Sequence, residues 1–182
     1  MEAAVVDTCL VINWSRFSEA DRIKRAFHRL YMPELTFSEV KSPRARALAA
    51  RWLTERYLVL TPIMRVDEEE ATKLLAAASR RPEIPPLDPP ELYAFAQALR
   101  LRVPLLTDNK APKRVTEYLE EYRWARVYDS LDILILTSTP QELPSVIEKF
   151  IRETSFMFSR RRLVALGVQA KGASEALGGR GP

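Results

Sequence analysis

Histidine and cysteine are almost missing from this chain of 182 residues, which has one of each, His28 and Cys9. A lone cysteine cannot close an internal disulfide, and one histidine with one cysteine cannot assemble a structural zinc site. The same shortage removes any mechanism built on a pair of histidines for acid and base work. Glycine is scarce too: the five residues lie towards the C-terminus, no Gly-rich phosphate loop follows the first strand-like run, and no nucleotide-binding fingerprint is present. Asp7 has no second acid two residues on, where Cys9 stands, which argues against an aspartyl phosphotransferase. Long apolar runs are also lacking. The opening stretch MEAAVVDTCLVINW is interrupted by Glu2 and Asp7 and carries no basic region before it, so neither a secretory leader nor a membrane span is expected. The expectation is a soluble protein in an intracellular, reducing and cytoplasmic setting.

What the chain does contain suits one packed domain: 47% of its residues are hydrophobic, and a second full domain would be short of length. The formal net charge of +4 favours polyanions without naming one. Its cations cluster in KSPRARALAAR, DNKAPKR and FSRRR, although solvated helix faces account for most such clusters in most proteins.

Strand-like and helix-like segments alternate. AAVVD (3–7), YLVLTPI (57–63) and VPLLTD (103–108) are short, apolar and rich in β-branched residues or leucine, and RVYD (126–129) is a shorter fourth strand. Helical spacing runs through FSEADRIKRAFHRLY, with Ser18 as N-cap, and through SEVKSPRARALAARWLTERY, DEEEATKLLAAASRR, PELYAFAQALRL and KRVTEYLEEY. SLDILILT, PQELPSVIEKFIRET and SRRRLVAL read as further helices, and AKGASEALGGRGP as a disordered tail. Strands separated by helices imply an α/β fold, a three-layer α/β/α sandwich on a central parallel sheet of about four or five strands. Trp14, Trp52 and Trp124 are read first as packing residues, though each could stack on a base.

The acids then acquire positions. In an open parallel sheet the ligand crevice lies beyond the carboxyl ends of the strands, where strand order reverses. Asp7 and Asp108 both end strands, and converging carboxylates repel unless a cation neutralises them. Taken singly, each is equally a capping residue. TFSE (36–39) and DPPE (88–91) have capping-box spacing, with Thr36 or Asp88 as N-cap and Glu39 or Glu91 at the third helical position. Pro89 strengthens the second. A helix opening into the crevice would deliver its glutamate there, and the spacing leaves both roles open.

The VVDT strand end, Glu39 opening an early helix, Glu91 opening the helix before the third strand, and LLTDN closing that strand together resemble the PIN-domain family of metal-dependent nucleases. LDPPELYAFAQALRLRVPLLTDNKAPKR carries most of the likeness, which divides the chain into a nuclease domain over 1–137, a helical extension over 138–169 and a tail over 170–182. The resemblance implies that Asp7, Glu39, Glu91 and Asp108 hold Mg²⁺ or Mn²⁺ for hydrolysis of RNA or single-stranded DNA, hard oxygen ligands that suit those ions. Asn109 stands where a second acid is frequent, so either Asp108 binds directly or Asn109 offers a carbonyl oxygen. Thr8, Thr107, Lys110, Lys113 and Arg114 flank the acids and are candidates for substrate contact, each with an ordinary turn or surface role beside it. A ribonuclease toxin restrained by a small antitoxin, a homodimer, and a binding or scaffolding domain without catalysis are further expectations. FIRETSFMFSRRR (150–162) can cover a sheet edge, form a dimer surface or extend the substrate groove.

Overall fold

Strand β1 (Glu2–Val6) lies at the centre of a five-stranded, all-parallel sheet completed by β2 (Phe27–Pro33), β3 (Leu58–Thr61), β4 (Leu105–Leu106) and β5 (Val127–Tyr128) in the order β3-β2-β1-β4-β5. The computed structural model describes residues 2–168, so the expected tail over 170–182 lies outside the described residues. In register, Ala4 sits beside Leu30, Val5 beside Leu105 and Val6 beside Leu106. Successive side chains of a strand point to opposite faces. Ala4 and Val6 accordingly join one apolar core with Leu10, Trp14, Trp52 and Phe150, while Val5 joins a second with Leu74, Phe95 and Val115. A strand covered on both faces must be apolar throughout, and this is why AAVV is a continuous run.

Helices α1 (Thr8–Trp14), α2 (Glu34–Ser38), α3 (Pro43–Thr54), α4 (Arg65–Ala78), α5 (Pro89–Leu101), α6 (Lys110–Tyr118), α7 (Ser130–Thr137), α8 (Leu143–Thr154) and α9 (Arg160–Ala165) supply the covering layers, with short 3₁₀ turns at Ala20–Arg25 and Glu120–Tyr122. Val146, Ile147 and Phe150 of α8, Leu163 of α9 and Val168 are buried in the same core as Val6 and Trp14. Residues 138–168 thus pack on the sheet domain. Trp14 and Trp52 are fully buried, whereas Trp124 is exposed.

Two segments depart from the sequence expectation. The helix expected over FSEADRIKRAFHRLY is instead a 3₁₀ turn followed by β2, and Ser18 caps nothing: its backbone N–H donates to Glu153. Phe27, Leu30 and Tyr31 have helical spacing, but placing them between β1 and β3 lets the backbone pair on both sides, which outweighs local propensity. Thr36 likewise lies inside the five-residue α2, and Glu39 ends that helix as its C-cap. The DPPE box forms as expected: the Glu91 N–H donates to Asp88 Oδ1 at 2.9 Å and the Asp88 N–H donates to Glu91 Oε2 at 3.2 Å.

Strand order reverses at β1, with β2 on one side and β4 on the other, so the crevice expected of such sheets opens where Asp7 and Thr107 emerge. Helix α5, which brings Glu91 to that end, is clamped to α4 by a buried acid. Asp67 is 1% exposed; it accepts the Met64 N–H at 2.9 Å and Arg100 Nε–H at 2.6 Å. Asp67→Ala removes a cap and a mostly buried ion pair together, and urea unfolding should show a loss of about 2 kcal/mol. A loss below about 0.5 kcal/mol would mean that apolar contacts alone hold α4 on α5.

Candidate active site

Asp7 is the last residue before α1 and its N-cap, a position that strand β1 forces to the rim of the crevice. Its Oδ1 accepts the Thr8 N–H at 2.7 Å, and its Oδ2 accepts the Thr107 hydroxyl at 2.9 Å, the Cys9 thiol at 3.0 Å and the Asn109 amide at 3.3 Å. Burial raises the pKa of Asp7, the donors of Cys9, Thr107 and Thr8 oppose the rise, and the charge of Asp88 adds to it. The same burial, with Asp7 beside it, pushes the Cys9 thiol well above its ordinary value. Cys9 therefore stays protonated and serves as a donor to the carboxylate, not as a nucleophile.

Three further acids are felt at this place. Glu91 is buried, and desolvation, then the charge of Asp88 and more weakly that of Asp7, push its carboxyl up to about 7. Glu39 is exposed on the far lip; partial desolvation followed by Asp88 and Asp7 raises it. Asp88 thus acts on all three of Asp7, Glu39 and Glu91 as well as capping α5. Sequence reasoning favoured it as the cap, while leaving it close enough to Glu91 to compete for the same site. Its cap role was legible in DPPE, but its nearness to Asp7 arises only when α5 crosses β1.

Asp108 turns elsewhere. Its Oδ2 accepts the Asn13 amide at 2.7 Å and the Ser130 hydroxyl at 2.8 Å, and its Oδ1 accepts the Ser130 N–H at 2.8 Å. Burial raises its pKa, and the nearby charge that adds to the rise is Asp129, not Asp7. Asn109, the next residue, faces the crevice instead: its amide meets Asp7 and also favours the ionised form of Glu91. The two neighbours named by LLTDN thus meet different partners, Asp108 those of α1 and α7 and Asn109 those of the crevice. The physical reason is that Asp108 finds three neutral donors on α1 and at the start of α7. Asn13 and Ser130, which hold it there, carried no signal in the sequence.

The expected substrate contacts are divided in the same way. Thr8 is buried and donates its hydroxyl to the Thr36 carbonyl at 2.6 Å, and Thr107 is committed to Asp7. Lys113 bridges Asp129 and Asp132 at 2.5 Å each, and Arg114 pairs with Glu117 at 2.8 Å. Only Lys110, exposed at the start of α6, makes no ion pair among the described residues.

None of Asp7, Glu39, Asp88, Glu91 and Asp108 pairs with a lysine or arginine among the described residues; the ion pairs lie elsewhere. Carboxylates that raise one another's pKa are the donor set a hard divalent ion neutralises, and the charge of Lys41 offsets that rise only in part at Glu39. The chemistry of the residues fits such an ion. In this conformation, however, no three His, Cys, Asp or Glu side chains among the described residues stand close enough to hold one, so closing the set requires side-chain rotation.

The PIN-domain family model matches residues 4–118, more than half of the chain. Among solved structures, the crystal structure of VapBC2 from Rickettsia felis bound to a DNA fragment from their promoter is similar to this chain, with a TM-score of 0.50 and 10% sequence identity. The similarity covers 70% of this chain and 98% of that one, and at such identity it concerns the fold alone. No curated protein matches the chain.

Because Glu91 binds its proton more tightly when folded, its contribution to metal-free stability is fully present below about pH 4.5 and is lost as the pH rises through about 7. Glu91→Gln keeps the acceptor for the Asp88 N–H and removes the charge. Without divalent ions it should be more stable than the parent by about 2 kcal/mol at pH 8, allowing for the water that reaches the carboxyl, with the gap narrowing towards pH 5. Urea unfolding at the two pH values measures this, and a pH-independent gap would remove the buried charge as its cause.

Proposed function

The chain belongs to the PIN-domain family, and on that premise we propose that it is a Mg²⁺- or Mn²⁺-dependent nuclease hydrolysing phosphodiester bonds of RNA, with single-stranded DNA as the lesser alternative. The observation that carries this reading is the mutual influence of Asp7, Glu91, Asp88 and Glu39, none of them in an ion pair among the described residues, at the carboxyl ends of the strands where sheet order reverses. Asp7, Glu39 and Glu91 would hold the ion, with Asn109 offering its amide oxygen after rotation. A bound divalent ion there supplies an activated water and neutralises the charge that develops on the phosphate. Thr107 and Cys9 keep the Asp7 carboxylate aimed at the crevice through their hydrogen bonds. Asp108 positions the loop: tied to Asn13 and Ser130, it fixes the backbone from which Asn109 projects.

The likeness to a VapBC structure suggests a biological setting, a toxin-type ribonuclease held in check by a small antitoxin partner in the cytoplasm. Among the described residues no helix is long and apolar enough to cross a membrane, which is compatible with that setting. Asn109 in place of an acid supports a second reading, a nucleic-acid-binding or scaffolding domain without catalysis.

Cleavage of a mixed single-stranded RNA pool, with Mn²⁺ and with chelator, separates these. The nuclease reading expects chelator-sensitive cleavage that falls at least about a hundredfold in Asp7→Asn and in Glu91→Gln. Asp108→Asn should retain cleavage but unfold at a lower temperature, because the new amide meets three donors with only one acceptor oxygen. Millimolar Mn²⁺ should raise the parent's melting temperature by mass action. Absence of both cleavage and a metal-induced shift would leave the binding-domain reading.

A further inference from the structure

We propose that Arg160 and Arg161 of α9, together with Lys110 of α6, form a surface that binds the sugar-phosphate backbone of single-stranded RNA beside the acidic crevice. The inference rests on the nuclease reading for its substrate class, and it gives the C-terminal extension, which lies beyond the residues matched by the family model, a part in substrate binding.

The geometry starts from a joint of four charges. Asp129 and Asp132 form the capping box of α7, each accepting the other's backbone N–H. Lys113 of α6 reaches both at 2.5 Å, and Arg162 of α9 reaches Asp132 at 2.5 Å and Asp129 as well. Lys113 and Arg162 thus share the same two acceptors, so α9 and α6 are both tied to the start of α7. Helix α9 has only six residues, and Leu163 is its one buried side chain, so this joint does much of the work of placing it. Between the two acids sits Ser130, which donates to Asp108, and Asp108 precedes the Asn109 that meets Asp7. The joint is therefore built into the wall of the crevice.

Charge bookkeeping then decides what the surface can bind. Within the joint two positive groups offset two negative ones. Arg160 and Arg161 are exposed and make no ion pair among the described residues, and the same holds for Lys110. The crevice itself is lined by unpaired acids and repels a polyanion; a phosphate backbone approaching it needs cations alongside to hold it. The two arginines, on the short helix that Arg162 ties to the start of α7, meet that need, and guanidinium groups suit bidentate phosphate contact.

The test is binding of a labelled, unstructured RNA to the full chain in chelator, so that cleavage does not intervene. Arg160→Ala/Arg161→Ala should weaken binding roughly tenfold and flatten the dependence of log K on log salt by about 1.4 for two lost phosphate contacts. Arg160→Lys/Arg161→Lys should recover most of the affinity. Arg29→Ala, an exposed arginine near the amino end of the sheet, should change nothing. Thermal unfolding of the double alanine variant should match the parent, as both side chains are exposed. Unchanged RNA affinity in that variant overturns the proposal, as does a loss confined to an acidic polypeptide probe such as polyglutamate, which would make the surface a protein dock. A parent that binds no RNA overturns it too. RNA bound through Arg160 and Arg161 but never cleaved with Mn²⁺ sinks the nuclease reading alone.

Discussion

Negative charge gathered with no ion pair to hold it among the described residues is the constraint on which the rest of this structure turns. Asp7, Asp88, Glu91 and Glu39 each raise the pKa of at least one other member or are raised by one. A fold selected for stability alone would relieve that repulsion, as this chain does a few residues away, where Lys113 and Arg162 neutralise Asp129 and Asp132. Two acidic groups in one wall are thus treated in opposite ways. The paired one behaves as a structural joint, and the unpaired one is what the proposed nuclease reading assigns to a cation from solution.

The scaffold that permits this is a strand buried on both faces. Because β1 is flanked by β2 and β4 and covered by two apolar cores, its end cannot shift without disturbing both. Asp7 inherits that rigidity and is further held by four donors. Glu91 is placed by a second rigid device, the reciprocal hydrogen bonds at the start of α5, which is itself locked to α4 through Asp67 and Arg100. Glu39, by contrast, ends a five-residue helix and is exposed, so it is the least constrained of the set.

Much of this was legible in the residues themselves. The apolar runs ending in Asp7 and Asp108 marked two central strands, and DPPE marked the start of α5. The absence of histidine and cysteine pairs left hard oxygen ligands as the chemistry to consider. Where the reading failed, the cause was tertiary. FHRLYMP has helical spacing and became a strand because both its edges found partners. Side-chain partners are a separate matter on which the residues were silent: Asp108 ends a strand as Asp7 does, and its carboxylate meets Asn13 and Ser130, residues far away in sequence that α1 and α7 bring to it. Lys113, a candidate for substrate contact with an ordinary surface role beside it, pairs with Asp129 and Asp132 of α7, partners that its own segment does not announce.

The sequence by itself determined that β1 and β4 are strands buried on both faces, where α5 is capped, and that the available ligands are carboxylates, because these follow from local apolarity, capping stereochemistry and composition. Only the tertiary structure decided which acids face one another, which are tied off by neutral donors, and which cations remain free, because a side chain's direction and partners depend on elements that meet across a hundred residues of chain.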